Sequence, residues 1–101
     1  MSFSVLVRDA ARQDIDRAQA WYAEHAPGQV ERFLEQLAAT LSRVRDNPHA
    51  FRSLLRDARR ATLRVFPYSV WYRTHDELHV VEVLALVHER QDAVGLSDRL
   101  S

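Results

Sequence analysis

The chain has 101 residues, of which 47% are hydrophobic and 28% charged, and its 14 Arg and Lys residues balance 14 Asp and Glu. This composition predicts one domain over residues 1–101 with a single core. No cysteine is present, which excludes disulfides, thiolate catalysis and cysteine zinc sites. No secretory leader is visible at the start, and no apolar run is long enough to cross a bilayer, so a cytoplasmic protein without membrane contact is expected.

The first half of the chain predicts a strand followed by a helical hairpin. Residues 3–8 alternate apolar and polar side chains, as a strand does. A helix is predicted over 10–25, with Asp9 as its N-cap and apolar residues at 3–4 spacing. The segment "APGQ" stops that helix, and a second helix is predicted over 29–45. Because the connection is short, the two helices are expected to be antiparallel neighbours.

The second half predicts three antiparallel strands. Residues 61–66 and 68–74 alternate around Pro67, which belongs at a turn or strand start because it has no amide donor. The nearly continuous apolar run 78–87 predicts a central strand covered on both faces. Residues 49–58 could form either a short helix or a strand-like stretch. The order predicts an α+β fold, with an N-terminal strand, an antiparallel helical hairpin and a three-stranded antiparallel meander in one sheet.

Aromatic residues are concentrated in the stretch "RVFPYSVWYR". In a strand, Tyr68, Val70 and Tyr72 share one face, and Trp71 lies on the other. This pattern suits a hairpin strand buried on both faces better than an exposed catalytic wall.

The charges are unevenly distributed along the chain. Residues 43–73 contain eight Arg against two Asp, a local balance of +6, whereas residues 9–35 and 74–101 carry −3 and −4. A basic third between two acidic ones can bind an anion or an acidic partner.

Four segments together resemble the RelE/ParE superfamily of bacterial toxins from toxin–antitoxin pairs, and they lie closer to ParE than to RelE. They are the opening strand with "VRDAARQDIDRAQAWYAEHAPGQVERFLEQL", then "NPHAF", "RRATLRVFPYSVWYR" and "VVEVLALVHERQD". The resemblance covers roughly residues 3–94 and implies the α+β fold described above. It also implies a cognate antitoxin as partner, in a toxin–antitoxin hetero-oligomer.

The resemblance implies two kinds of activity. ParE-like members are poisons that bind DNA gyrase and stall it on cleaved DNA, which is the leading interpretation here. RelE-like members are ribosome-dependent mRNA endonucleases, which need a base, an acid and positive charge around the phosphate. His88 with Arg64, Arg73 and Arg90 is the best such set in this chain. No Tyr or second His follows His88, and no Lys is present, so no catalytic residue is firmly assigned. A third possibility is an inactive member that only binds antitoxin.

The candidate partner-binding residues are mostly arginines: Arg52, Arg56, Arg59, Arg60, Arg64, Trp21, Tyr22 and Arg90. The structural alternative for Arg90 is an ion pair with Asp92, with Glu89 or with an acidic residue of a helix. His75 and His79 in "HDELH" lack a convincing third ligand, so no metal site and no cofactor are expected.

Overall fold

The computed structural model describes residues 3–91 and 94–100. Its strands are β1 (Ser4–Val7), β2 (Ser53–Leu55), β3 (Ala58–Thr62), β4 (Tyr68–His75) and β5 (Val80–His88). Its α-helices are α1 (Asp9–His25), α2 (Val30–Asp46) and α3 (Val94–Arg99), and short 3₁₀ turns span Pro27–Gln29, Pro48–Ala50 and Asp76–Leu78. No helix in these described ranges is both long and apolar enough to cross a bilayer.

The strands form one five-stranded sheet in the order β1-β5-β4-β3-β2. β1 runs parallel to β5, whereas the other neighbours are antiparallel. The α+β class, the N-terminal strand and the helical hairpin are therefore confirmed. The three-stranded meander is corrected to four strands, because β2 adds an antiparallel edge strand beside β3.

Residues 49–58, which the sequence left unassigned, form a 3₁₀ turn, β2 and a tight turn into β3. Arg56 and Asp57 both have positive φ, at 49° and 65°, as the two central residues of a type I′ hairpin turn do. The strand predicted over 61–66 is wrong at both ends, because β3 spans Ala58–Thr62 and the chain then enters a loop. In that loop Val65 has a φ of 74°, a conformation that β-branched residues rarely adopt.

The helix boundaries lie within one residue of the predicted ones. α1 begins at Asp9, with Arg8 in the N-cap position and no side-chain cap bond. The prediction of Asp9 as N-cap is therefore wrong, although its charge still lies in the first turn, where the helix dipole favours it.

The helical hairpin packs on one face of the sheet. Each helix buries one stripe of side chains at 3–4 spacing: Ala11, Asp14, Ala18 and Tyr22 on α1, and Phe33, Leu37, Thr40 and Val44 on α2. Val70 and Tyr72 of β4 join this core, with Tyr68 packed at its margin. The predicted apolar face of the aromatic stretch is thus confirmed.

The opposite face of the sheet is covered by α3. Trp71 packs there with Leu84 and Ala85 of β5 and with Leu96 and Leu100. A β-bulge makes this possible, since Ala85 pairs with Trp71 and Val83 with Tyr72, which leaves Leu84 as the extra residue. The bulge turns two consecutive side chains of β5 to the α3 side. The predicted burial of this strand on both faces is confirmed.

We expect Trp71→Ala and Tyr72→Ala each to lower the free energy of unfolding by about 3–5 kcal/mol, because each removes a large buried ring. Chemical denaturation at neutral pH measures the loss. Leu78→Ala is the control, since Leu78 is an exposed hydrophobic residue on the β4–β5 connection. Parent-like stability of either aromatic variant would contradict the two-core packing.

Tyr72 also predicts a dependence of stability on alkaline pH. Its hydroxyl donates a 2.6 Å hydrogen bond to the Pro48 carbonyl, and burial raises its pKa from 10.0 to about 12, with Arg59 opposing the rise. The unfolded chain therefore loses this proton first, so the Tyr72 contribution is full below pH 10 and disappears as pH rises to about 12. Tyr72→Phe should lower stability by about 1 kcal/mol at neutral pH. The difference in the free energy of unfolding between the parent chain and Tyr72→Phe should decrease as the pH of the denaturation experiment rises to about 12. A difference that stays constant with pH would contradict the raised pKa of Tyr72.

Candidate functional site

His88 is the last residue of β5, and it lies at the end of the sheet where β4 begins. It pairs with Tyr68 across the two strands, and the two rings meet edge to face with centroids 5.0 Å apart. The Glu89 amide donates to the Pro67 carbonyl at 2.8 Å, which fixes the chain just beyond the strand. The Phe-Pro-Tyr and His-x-Arg segments of the sequence are therefore spatial neighbours.

The chain that follows His88 folds back on it. The Arg90 amide donates to His88 Nδ1 at 3.1 Å, and the His88 amide donates to Gln91 Oε1 at 2.6 Å. Because an amide can only donate, Nδ1 is the acceptor and the neutral imidazole carries its proton on Nε2. A base for RNA cleavage needs a free nitrogen lone pair facing the substrate. In this arrangement the lone pair is occupied by the main chain.

Two of the three arginines proposed for a phosphate clamp lie at the His88 end of the sheet. Arg64 is exposed in the β3–β4 loop, and Arg90 is exposed two residues beyond β5. Arg73 lies five residues along β4 from Tyr68, about 16 Å away at strand spacing. Its guanidinium donates to the Leu100 and Arg56 carbonyls at 2.9 and 3.0 Å. The prediction that Arg73 converges on His88 is therefore wrong, because this side chain ties the end of α3 to the β2–β3 turn.

A cavity of about 640 Å³ lies between α1 and this end of the sheet. We call it the α1 cavity; it is lined by Asp14, Arg17, Ala18, Trp21, Tyr22, Ala26, Pro67, Tyr68, Leu86, His88 and Gln91. Trp21 stands at its margin with 51% of its surface exposed, whereas Tyr22 is buried in the main core. Of the two aromatics proposed for partner binding, Trp21 is thus the surface residue and Tyr22 forms part of the cavity wall.

Asp14 is the buried charged group of this region. Its carboxylate accepts hydrogen bonds from Arg17 at 2.6 Å, from both terminal nitrogens of Arg99 at 2.5 and 3.0 Å, and from the Leu86 amide at 3.1 Å. Hydrogen bonding to Asp14 is the main cause that raises the pKa of Arg99. The sequence analysis did not identify this role of Asp14. The available signal was its position on the apolar stripe, between Ala11 and Ala18.

The five arginines of the basic stretch that were proposed for partner binding make several different contacts. Arg59 is half-buried and donates to the Phe51 carbonyl at 2.5 Å, so it holds the segment before β2. Arg60 lies over the Trp71 ring at 5.9 Å, on the α3 side of the sheet. Arg52, Arg56 and Arg64 are exposed, the first two at the β2–β3 hairpin and the third in the next loop. These arginines are therefore spread along the β3 side of the sheet and do not form one patch.

The two histidines of "HDELH" lie at the opposite end of the sheet. His75 Nε2 is 2.9 Å from Glu82 Oε1, and Arg8 donates to the other oxygen of Glu82 at 2.6 Å. Burial by itself raises the pKa of Glu82, but the hydrogen bonds from His75 and Arg8 outweigh it and lower that pKa overall. His79 stacks on Phe3 with ring centroids 4.5 Å apart. Both side chains thus fasten β1 to the β4–β5 hairpin. Asp92, proposed as a partner of Arg90, lies outside the described residues.

Known proteins resemble the whole chain. A family model described as the ParE toxin of type II toxin-antitoxin system, parDE, matches residues 5–93. Toxin ParE2 of Mycobacterium tuberculosis is 30% identical over 102 residues, which covers 100% of this chain and 95% of the relative.

Solved structures of related toxins share the fold. The chromosomal ParDE TA system from P. aeruginosa superposes with a TM-score of 0.74 at 18% identity, over 86% of this chain and 96% of that chain. The toxin–antitoxin complex RelBE2 from Mycobacterium tuberculosis gives 0.62 at 21% identity, over 87% and 99%. The isolated E. coli RelE toxin gives 0.57 at 17% identity, over 96% and 95%.

We expect Asp14→Asn to lower the free energy of unfolding by about 2 kcal/mol, because charge-assisted hydrogen bonds to Arg17 and Arg99 are lost. Amide hydrogen exchange in α3 should accelerate, since Arg99 is the polar tie between that helix and α1. Asp16→Asn is the matched control, an exposed carboxylate on the same helix. If Asp14→Asn changed neither the free energy of unfolding nor the amide exchange of α3, the bonds from Asp14 to Arg17 and Arg99 would contribute nothing to stability.

Proposed function

Because the chain belongs to the ParE toxin family of type II toxin–antitoxin systems, we propose that it is a cytoplasmic poison of DNA gyrase that a cognate antitoxin neutralises by direct contact. The match of the family model over residues 5–93 carries this proposal. The ParDE and RelBE2 structures that share the fold are named as toxin–antitoxin systems or complexes, which supports an antitoxin as the partner of this chain in a hetero-oligomer.

A poison acts by binding, and it needs no reacting group of its own. It shifts gyrase toward the cleaved state only if it binds the cleaved enzyme–DNA complex more tightly than the resealed one. Each tenfold preference corresponds to about 1.4 kcal/mol of differential binding. The exposed cations Arg64 and Arg90 at loop positions suit contact with an acidic protein surface or with DNA phosphates. Val65, the residue after Arg64, is 71% exposed and adds apolar contact area.

The bonding of His88 supports the binding mechanism over the nuclease mechanism. Its Nδ1 accepts from the Arg90 amide, and Asp14, the carboxylate lining the same cavity, is held by Arg17 and Arg99. Neither group has the free lone pair that a general base requires.

A ribosome-dependent mRNA endonuclease is the second candidate function. The observation that favours it is the shared location of His88, Arg64 and Arg90 at one end of the sheet. An inactive, antitoxin-binding member remains the third candidate, and it predicts no growth arrest by a folded protein.

We expect the purified protein to inhibit supercoiling of relaxed plasmid by gyrase and to accumulate cleaved plasmid, with both effects reversed by the antitoxin. His88→Ala should retain this inhibition within about threefold if its fold is intact, because binding does not use the imidazole as a base. Gel assays of plasmid topology and cleavage measure both effects. His49→Ala is the matched control, an exposed histidine paired with Asp76 at the other end of the sheet.

The opposite result would identify the second candidate. Unimpaired supercoiling at high protein excess, together with mRNA cleavage on ribosomes that His88→Ala abolishes and His49→Ala does not, would refute the gyrase proposal. Absence of both activities in a folded protein would favour the inactive member.

A further inference from the structure

Val65, in the loop between β3 and β4, combines high exposure with an unfavourable backbone conformation. It is 71% exposed, and its φ is 74°. Of the four described non-glycine residues with positive φ, it is the only β-branched one. A β-branched residue is strained in this left-handed region, and an exposed side chain gains little burial to offset the strain. Strain without compensating packing indicates that the side chain has a function beyond the fold.

The loop that carries this valine is held in place on both sides. The Leu63 amide donates to the Tyr68 carbonyl at 2.9 Å, and the Tyr68 amide donates to the Phe66 carbonyl at 2.8 Å. Phe66 is buried, and its ring meets those of Tyr22 and Phe33 edge to face, with centroids 5.5 and 5.6 Å apart. Because the residues before and after it are fixed, the exposed part of the loop loses little conformational freedom on binding.

Arg64 and Val65 form the exposed part of this loop, which we call the β3–β4 tip. Arg64 is exposed, and within the described part of the chain its side chain forms no ion pair or hydrogen bond. The chain beyond β5, which bonds to the Pro67 carbonyl, adds Glu89 and Arg90, both exposed and of opposite charge. The excess positive charge of these two segments is therefore one, equal to that of Arg64.

This charge favours a protein over DNA as the partner of the tip. Affinity for DNA grows with the number of phosphates that are neutralised, and one excess cation neutralises few of them. An exposed valine beside a single arginine suits a protein surface that offers an apolar recess and a carboxylate next to it.

We propose that the β3–β4 tip is a contact of this chain with the protein that it inhibits. Val65 enters an apolar recess of that protein, and the guanidinium of Arg64 binds a carboxylate beside the recess. The identification of the recess as part of gyrase rests on the proposed function. The strained backbone persists because the exposed valine contributes to binding, as in other sites where stability is lost in favour of function.

Three substitutions of Val65 separate the strain from the contact. Val65→Thr keeps the shape and the strain but replaces a methyl by a hydroxyl, so it should weaken gyrase inhibition about tenfold at an unchanged melting temperature. Val65→Asn should weaken inhibition as well, and it should raise the melting temperature by about 2–5 °C because Asn tolerates positive φ. Val65→Ile keeps an apolar β-branched side chain and should inhibit within about threefold of the parent chain.

Arg64→Gln tests the cation of the tip. It should weaken inhibition about tenfold at low salt, and the loss should shrink at high salt because salt screens exposed charges. The protein concentration for half-maximal inhibition of supercoiling measures the effect of each variant, and scanning calorimetry measures its melting temperature.

Two matched controls separate the tip from general surface effects. Arg12→Gln removes an exposed cation from α1, and Leu78→Ala removes an exposed apolar side chain from the β4–β5 connection. Both should inhibit gyrase within about twofold of the parent chain, as is usual for surface substitutions away from a contact.

The outcomes distinguish this inference from the proposed function. Parent-like inhibition by Val65→Thr and Arg64→Gln would overturn the tip proposal and leave the gyrase assignment standing. A loss of inhibition matched by an equal loss of affinity for plasmid DNA alone, measured by gel shift, would overturn it in favour of a DNA contact. A parent chain that leaves gyrase unimpaired would overturn both proposals. A Val65→Asn protein that is more stable and less inhibitory than the parent is the result that supports the tip.

Discussion

The carboxylate of Asp14 accepts a main-chain hydrogen bond from β5 that a neighbouring strand would otherwise accept. Pairing of β1 with β5 ends where the Arg8 amide reaches the Val83 carbonyl, so the next part of β5 has no neighbouring strand on that side. A buried amide without a partner is costly, and Asp14 supplies the acceptor for Leu86. A buried carboxylate needs cations in turn, which explains why Arg17 and Arg99 converge there. One edge of the sheet thus determines the placement of α1, β5 and α3 together.

The same arrangement produces the surface of the molecule at this end. Because Arg99 binds Asp14, α3 lies across the sheet face. There it covers Trp71, Leu84 and Ala85. Because two guanidiniums share one carboxylate, the group of Asp14, Arg17 and Arg99 carries one excess positive charge although α1 as a whole is acidic. The group that completes the fold therefore also places charged side chains at the wall of the α1 cavity.

Local patterns were sufficient to predict the helical hairpin and the double-sided burial of β4, since 3–4 spacing and alternation are encoded within a few residues. The β2–β3 hairpin was not predicted because its turn uses Arg56 and Asp57, where positive φ is usually marked by Asn or Gly. The role of Asp14 was not predictable either. Its partners Leu86 and Arg99 lie 72 and 85 residues away, and no local rule connects them. For the site, the sequence indicated His88, Arg90 and Trp21. That Arg73 lies far from His88 is visible only in the folded structure.

The parallel pairing of β1 with β5 has a consequence for the order of events during synthesis. Val5 pairs with Val81, a separation of 76 residues, and β5 lies between β1 and β4 in the sheet. On a translating ribosome the helical hairpin can form early from local contacts, but β1 has no partner until β5 has emerged. The surfaces that depend on β5, among them the α1 cavity and the His88 end, therefore do not exist on a nascent chain. In this topology the His88 end of the sheet can form only after β5 has been synthesised, even if the helical hairpin has folded earlier.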